Sequence, residues 1–458
     1  MNRRSFLSCS LCSAGALLTS SLLRPSLSYA TATNNTNAPV RFLFFVFLQG
    51  GMDALTAYPS TSTEVQQRLS QLRKPILVPN ADILPLGRTV GLHKDFQVLL
   101  DSLRSLDELK LFTGVGNPSG DRSHYNATSR LGRGCYTLSG ADRAGSGWLA
   151  RIIQEYGFQK GQVYSVGSTP ADFYLTQQSQ VYELPSLLET LRGKGSITDV
   201  YASDVIRDVI RSAPPGGADT SVKARMRDAL KSMDAVTAEL GSHTTPKPAN
   251  PGWFQGADQE FLLRCSAAGE LADYHVASGR FPRTMISSTS FASFDTHQSL
   301  KEILLGTSTA GGKLKALATG LSVLINRLKG IQVNGGGTAW DKSAVVVFSE
   351  FGRQFKSTTG GSDSDIGVDH GFATNYLMLS GAFKRGGVRV YGNPVSVQDI
   401  DRSVENAWVP STNSFAPLAA VLRGAGYDPT LIFPQTMPSD AQFPMPNWAD
   451  QEPESLFV

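Results

Sequence analysis

The sequence predicts an α/β protein with a mainly parallel central sheet and helices on both faces, and three observations lead there. Short apolar runs recur along the chain without polar alternation, as in strands buried on both faces. Longer stretches with helical spacing separate many of them. Several of the runs end in Gly, Asp, Glu or His, and open α/β sheets keep their working residues at that rim.

Taken in order, the chain opens with Asn2-Arg3-Arg4-Ser5-Phe6-Leu7, an apolar stretch over 11–18, Arg24, and then Ser28-Tyr29-Ala30. A charged start, a short apolar middle and a small-residue exit describe a removable export signal over 1–30, not a membrane helix. The adjacent arginines resemble a twin-arginine signal, with an ordinary secretory signal as the alternative. The expected location is periplasmic or secreted, reached through the twin-arginine translocation machinery. No later window holds the ~18 apolar residues of a membrane span. Residues 31–40 read as a flexible leader, and 41–458 as one α/β domain.

The first strand is expected at 41–48 and ends in Gln49-Gly50-Gly51-Met52-Asp53. Further strands are expected at 110–115, 162–166, 284–287, 344–348 and 376–379. Helices are expected at 94–106, 148–156, 221–240, 258–276, 313–329 and 414–425. The span 169–281, broken by Ala213-Pro214-Pro215-Gly216-Gly217, reads as a helical insertion or cap.

Among the 458 residues, 42 Lys and Arg stand against 39 Asp and Glu, a formal charge of +3. Loss of the signal removes Arg3, Arg4 and Arg24 and no acid, which leaves a neutral chain without the basic face that nucleic acid requires. Cys9 and Cys12 leave with the signal. Cys135 and Cys265 remain, either as a pair or as two buried thiols, and neither has a zinc-ligand neighbour at the usual spacing.

The candidate chemistry gathers after the strands: Asp53; Ser123 and His124; Asp295 and His297; Glu350 and Arg353; Asp369 and His370. Carboxylates and imidazoles from separate strand ends are ligands for Zn, Mn, Mg or Ca. A hydroxyl beside such an ion becomes nucleophilic, and arginine offers a planar fork to a phosphate, sulfate or carboxylate. Each group also has a structural alternative. Asp53 would satisfy turn donors, and Ser123 would cap a helix. Asp295 and His297 would form a surface turn, Glu350 and Arg353 a local ion pair, and Asp369-His370 a loop anchor. His93, His243 and His275 lie in helical or linker contexts and read as structural or solvated.

Seven pieces occur in order: Phe47-Leu48-Gln49-Gly50-Gly51-Met52-Asp53-Ala54-Leu55, Leu92-His93-Lys94, Arg122-Ser123-His124-Tyr125, Gly147-Trp148-Leu149, Phe294-Asp295-Thr296-His297, Phe348-Ser349-Glu350-Phe351-Gly352-Arg353 and Asp369-His370-Gly371. Together they resemble the domain of unknown function 1501 family, of the alkaline-phosphatase/sulfatase-like superfamily. The resemblance implies an alkaline-phosphatase-like sheet with a site for one or two divalent ions at its strand ends. It places Asp53, Asp295, His297 and His370 as metal ligands, with Glu350 able to ligate; Asp369 joins the expected ligands from the strand-end pattern. Ser123 would be the nucleophile, with Thr56 as the competing hydroxyl. His124 or His370 would move protons, and Arg353 would steady the anion. Ser349-Glu350 stands where superfamily hydrolases carry Asp-His. The function so implied is an exported, metal-dependent hydrolase of phosphate or sulfate esters, acting on a small anionic or glycan-linked substrate. The alternatives are a catalytically degenerate binding or scaffold protein and a mutase or phosphotransferase.

Overall fold

The computed structural model describes residues 37–458 except 88, 139–144, 159–160, 168, 179–180, 184–255, 282, 307–310, 359–364, 454–455 and 458. The export signal, the leader up to residue 36, the helix expected at 221–240 and His243 therefore lie outside the described residues.

The strands are β1 Phe42–Leu48, β2 Ile83–Pro85, β3 Gly91–His93, β4 Leu109–Gly116, β5 Val163–Ser165, β6 Tyr182–Glu183, β7 Met285–Phe291, β8 Ser343–Ser349, β9 Arg353–Ser357, β10 Val368–His370, β11 Thr374–Ser380, β12 Val390–Tyr391 and β13 Thr412–Asn413. Nine of them make one sheet in the order β12-β4-β11-β8-β1-β7-β5-β6, with β13 paired to β4. The sheet is mainly parallel: β1 pairs in parallel with β7 and β8, and β7 with β5. The exception is β11, which runs antiparallel to both β8 and β4. The strands β4, β8, β1 and β7 therefore share a direction, and their carboxyl ends meet at one rim with the amino end of β11.

The unalternating apolar runs have a simple physical cause. Successive strand residues face opposite sides, so a strand covered on both sides needs apolar side chains at every position. In β1, Phe42, Phe44, Val46 and Leu48 enter one core, whereas Leu43, Phe45 and Phe47 enter the other. The same division holds for Val345 and Val347 against Val346 and Phe348 in β8. Helices Gly256–Ala277 and Lys313–Gly330 cover the first face, and Trp148–Glu155 and Phe415–Gly424 cover the second. In Lys313–Gly330, Leu314, Leu317, Leu321, Leu324, Ile325 and Leu328 are buried along one stripe, and Arg327 and Lys329 lie in the last turn, where cations suit the helix dipole.

Two expectations change in detail. The helix expected at 94–106 is a short 3-10 turn, Lys94–Phe96, leading into Gln97–Ser102; extended backbone at Leu103 ends it, and Ser105 caps a new turn, Leu106–Glu108. Within 169–281, the described helix Gly256–Ala277 is a wall of the main core, with Phe261, Leu262, Cys265 and Leu271 buried, and β6 extends the sheet beside β5. Cys135 and Cys265 are both buried and form no disulfide with each other. No helix among the described residues is long and apolar enough to cross a membrane.

Candidate metal centre

Four segments deliver the site. The segment after β4 leads to Ser123, the N-cap of helix His124–Arg133, whose hydroxyl accepts from Asn126 N at 3.5 Å. The exit of β7 carries Asp295 and His297, and the exit of β8 carries Glu350. The ribbon β9–β10 then turns back to present Asp369 and His370 just before β11. The turn after β1 packs underneath. Gly50 and Gly51 take φ values of +113° and +76°, and a Cβ on Gly50 would lie 2.3 Å from the Asp295 nitrogen. Only glycine fits such a conformation at so close an approach.

The ligand atoms of His124, Asp295 and His370 lie within 4.8 Å of one another, as do those of His297, Asp369 and His370. The two groups overlap at His370. Asp295 Oδ1 is 3.0 Å from His297 Nε2 and 3.3 Å from His370 Nε2, and its Oδ2 is 3.5 Å from His124 Nε2. Nε2 of His297 and Nε2 of His370 are 2.8 Å apart.

The hydrogen bonds on the far side of two rings decide which nitrogen is available. His370 Nδ1 lies 2.9 Å from the carbonyl of Arg122, an acceptor only, so Nδ1 carries the proton and Nε2 presents a lone pair. His124 Nδ1 sits 2.8 Å from Glu350 Oε1, and its Nε2 is buried without a hydrogen-bond partner. A carboxylate or carbonyl behind one ring nitrogen, with the other directed at an acid, is the usual outer support of a metal-bound histidine. Burial, together with the nearby Arg353 and His124, holds His370 below the ordinary histidine range, which keeps that lone pair available. The Glu350 hydrogen bond raises His124 against the opposing effect of burial. Partial burial works to raise Asp295, but the Arg353 hydrogen bond and charge bring it below the usual carboxylate range.

Three expectations are corrected. Asp53 does not join these groups: its carboxylate is fully buried, ion-paired to Arg73 at 2.5 Å and bonded to the Thr56 hydroxyl at 2.5 Å. Glu350 stands in neither ligand group: its carboxylate meets His124 Nδ1 at 2.8 Å, Gly50 N at 2.8 Å and the Ser349 hydroxyl at 2.9 Å. Arg353 is turned into the protein, away from the surface. Its guanidinium is fully buried and donates to the carbonyls of Gly50, Gly51, Phe294 and Val368 and to Asp295 Oδ1 at 2.6 Å. It is a staple that ties three rim loops together and holds Asp295 in place.

The other expected residues are placed as follows. Ser123 is exposed at the helix start, Asp369 is exposed beside His297 Nδ1 at 3.5 Å, and Thr56 is sealed against Asp53. His93 is buried and caps the turn at Lys94, and His275 is buried against the carbonyl of Arg283. Three contributors were not foreseen. Phe351 packs its ring 4.8 Å from both His124 and His370, Arg122 supplies the carbonyl behind His370, and Arg73 neutralises Asp53. The first two stand inside the motifs already singled out, so position alone was their signal; Arg73 lies in an unremarked helix.

The family model described as protein of unknown function (DUF1501) matches residues 120–409, a span that holds every residue of the two ligand groups. The chain belongs to this family. Among solved structures, this family member is similar to a protein in the alkaline phosphatase superfamily from Vibrio parahaemolyticus, at 11% identity over 88% of this chain and 71% of that one, with a TM-score of 0.38. It is similar to the soluble domain of lipooligosaccharide phosphoethanolamine transferase A from Neisseria meningitidis, at 10% identity over 88% and 95% of the two chains, TM-score 0.34. It is also similar to the phosphonate monoester hydrolase of Agrobacterium radiobacter, at 11% identity over 88% and 79%, TM-score 0.34. No curated protein matches the chain.

Proposed function

We propose that this protein is an exported, metal-dependent hydrolase of phosphate or sulfate esters. The observation that carries the reading is the convergence of two imidazole Nε2 atoms on Asp295, each ring oriented from behind, by Glu350 for His124 and by the Arg122 carbonyl for His370. The buried, unpartnered His124 Nε2 fits a divalent ion and is costly otherwise. His124, Asp295 and His370 would hold that ion, and His297 and Asp369 with His370 would serve a second. Such an ion, when bound, supplies a Lewis acid for an ester oxygen and lowers the pKa of a coordinated oxygen.

The chain's own residues do the rest. Ser123 presents an exposed hydroxyl beside His124 at a helix start, where the helix dipole favours an anion. Its Oγ attacks the phosphorus or sulfur, the alcohol leaves with a proton, and water later cleaves the serine ester. Glu350 and Arg353 hold His124 and Asp295 still. The amino-terminal sequence supports export by the twin-arginine route.

The test is elemental analysis followed by release of nitrophenol from nitrophenyl phosphate and sulfate. Bound metal and turnover that disappear together in His370→Ala support the reading; a metal-free protein inert toward both esters after metal addition removes it. A second reading, a binding protein on a degenerate hydrolase fold, is favoured by the structural commitment of Asp53 and Arg353. It predicts bound metal without turnover.

A further inference from the structure

The turn over 404–407 breaks a local rule. Its central residues, Glu405 and Asn406, take positive φ values of +52° and +58°, and Ala407 N donates to the Val404 carbonyl at 2.9 Å. A turn with two such residues favours Gly, Asn and Asp, so Asn406 suits its place and Glu405 does not. Residues that contradict local preference tend to stand where function holds them.

The Glu405 carboxylate is directed at Arg122. It pairs with Nη2 of that guanidinium, whose Nη1 donates to the main-chain carbonyl of His370 at 3.2 Å. The guanidinium lies over the Phe372 ring, 4.9 Å from its centroid, and Phe372 shares a small apolar cluster with Ala407 of the turn. The Arg122 carbonyl in turn accepts from His370 Nδ1 at 2.9 Å. Arg122 therefore grips His370 twice, once by its backbone and once by its ring. The turn is also tied to the β9–β10 ribbon that carries His370, because Phe355 N donates to the Asn406 carbonyl at 2.6 Å. The Arg122 and Glu405 side chains are 28% and 57% exposed, and an ion pair so open adds little stability to offset the strained glutamate.

The grip matters because the His370 ring has an acceptor at each end. Nε2 stands 3.3 Å from Asp295 Oδ1, whereas Nδ1 stands closer to the Arg122 carbonyl. A proton on Nδ1 leaves a lone pair for an ion, and a proton on Nε2 turns an N–H toward it. We propose that Glu405 is a positioning residue of the metal centre: by fixing Arg122 it keeps that carbonyl on Nδ1 and selects the ligating tautomer of His370. The inference rests on the ester-hydrolase reading for its purpose, but the tautomer is readable in metal-free protein.

The experiment compares the mature wild type with Glu405→Asn, which withdraws the carboxylate and suits the turn better. Long-range proton–nitrogen NMR correlation of the metal-free proteins, at a pH where the ring is neutral, should show His370 protonated on Nδ1 in wild type and shifted toward Nε2 in the variant. Zinc affinity, read by competition with a chromogenic chelator, should fall roughly tenfold. Stability to urea should hold level or rise, the reverse of what a merely structural glutamate would give. Glu405→Gln, equal in length and still an acceptor, should recover part of both losses. Arg122→Lys keeps the charge without the planar fork that joins Glu405 to His370, and should repeat the tautomer shift. A wild type that binds no zinc removes the ester-hydrolase reading, while the tautomer comparison still decides the role of Glu405. The proposal is overturned if wild-type His370 carries its proton on Nε2, if Glu405→Asn keeps the wild-type tautomer or the wild-type zinc affinity, or if zinc affinity falls only as stability falls.

Discussion

Asp53 and Asp295 leave the carboxyl ends of two neighbouring parallel strands, β1 and β7, yet one is sealed and the other stands open. The Asp53 side chain is 0% exposed and meets Arg73 and Thr56. The Asp295 side chain is 44% exposed and meets three imidazoles on one side and Arg353 on the other. A carboxylate at a strand end is thus not in itself a functional signal. What separates the two is the state of the neighbours: Arg73 closes its charge and donors onto Asp53, whereas His124 and His370 bring their Nε2 atoms to 3.5 and 3.3 Å from the open acid. The sealed knot is part of the scaffold that the open one stands on, since Arg73 also reaches the carbonyl of Gln354, next to Arg353.

The largest effect expected from breaking this comparison is Asp53→Ala. It leaves Arg73 buried without its partner, and losing one half of a buried pair costs roughly 3–5 kcal/mol. Urea unfolding should show that loss, while metal bound per folded molecule stays at the wild-type level. Metal loss with unchanged stability would place Asp53 in the site after all.

Two histidines sharpen the same contrast. Burial depresses both, but His370 opens onto the cluster, while His275 is enclosed and pushed down to about 4 by desolvation, with a backbone hydrogen bond to the Arg283 carbonyl opposing it. A folded-state value below the ordinary 6.5 means that neutrality contributes stability above that pH, lost as pH falls toward 4. The loss amounts to about 3 kcal/mol at one unit per 1.36 kcal/mol. Stability of His275→Gln, followed by circular dichroism from pH 7 to 4, should decline less steeply than wild type; parallel curves would rule out His275 as the origin.

Smaller effects are expected inside the open site. Glu350→Gln takes the charge from behind His124 and should weaken metal binding roughly 10–100-fold, as read by competition with a chromogenic chelator. Unchanged affinity would make Glu350 a purely structural acid. Ser123→Ala removes a helix cap worth about 1 kcal/mol and, on the nucleophile reading, abolishes ester turnover. Ser123→Asp should restore the cap and leave turnover absent; turnover that survives both variants would transfer the role to another hydroxyl.

The strands were legible in the sequence because a short, unalternating apolar run suits a strand covered on both faces and little else, and the six runs match β1, β4, β5, β7, β8 and β11 closely. Strand direction was not legible: 376–379 is an apolar run like those of its neighbours, and its antiparallel course follows the short ribbon after β8. In the site, Asp295, His297, Asp369 and His370 could be found because acids and imidazoles are rare enough at strand ends to stand out. His124 could be found too, and it stands in one of the two groups that could hold an ion. Arg353 was misread because its partners are backbone carbonyls, which carry no letter in a sequence. Asp53 was misread because Arg73, twenty positions on, looks like any basic residue closing a surface helix.

Metal content is the most direct test of the open site. Mature protein incubated with zinc, manganese, magnesium or calcium and then desalted should retain at least one ion per chain by mass spectrometry. The His124→Ala/Asp295→Ala/His370→Ala variant, folded by circular dichroism, should retain none. A wild-type protein that holds no ion, or a triple variant that holds as much as wild type, would contradict the assignment of these three side chains as a metal centre.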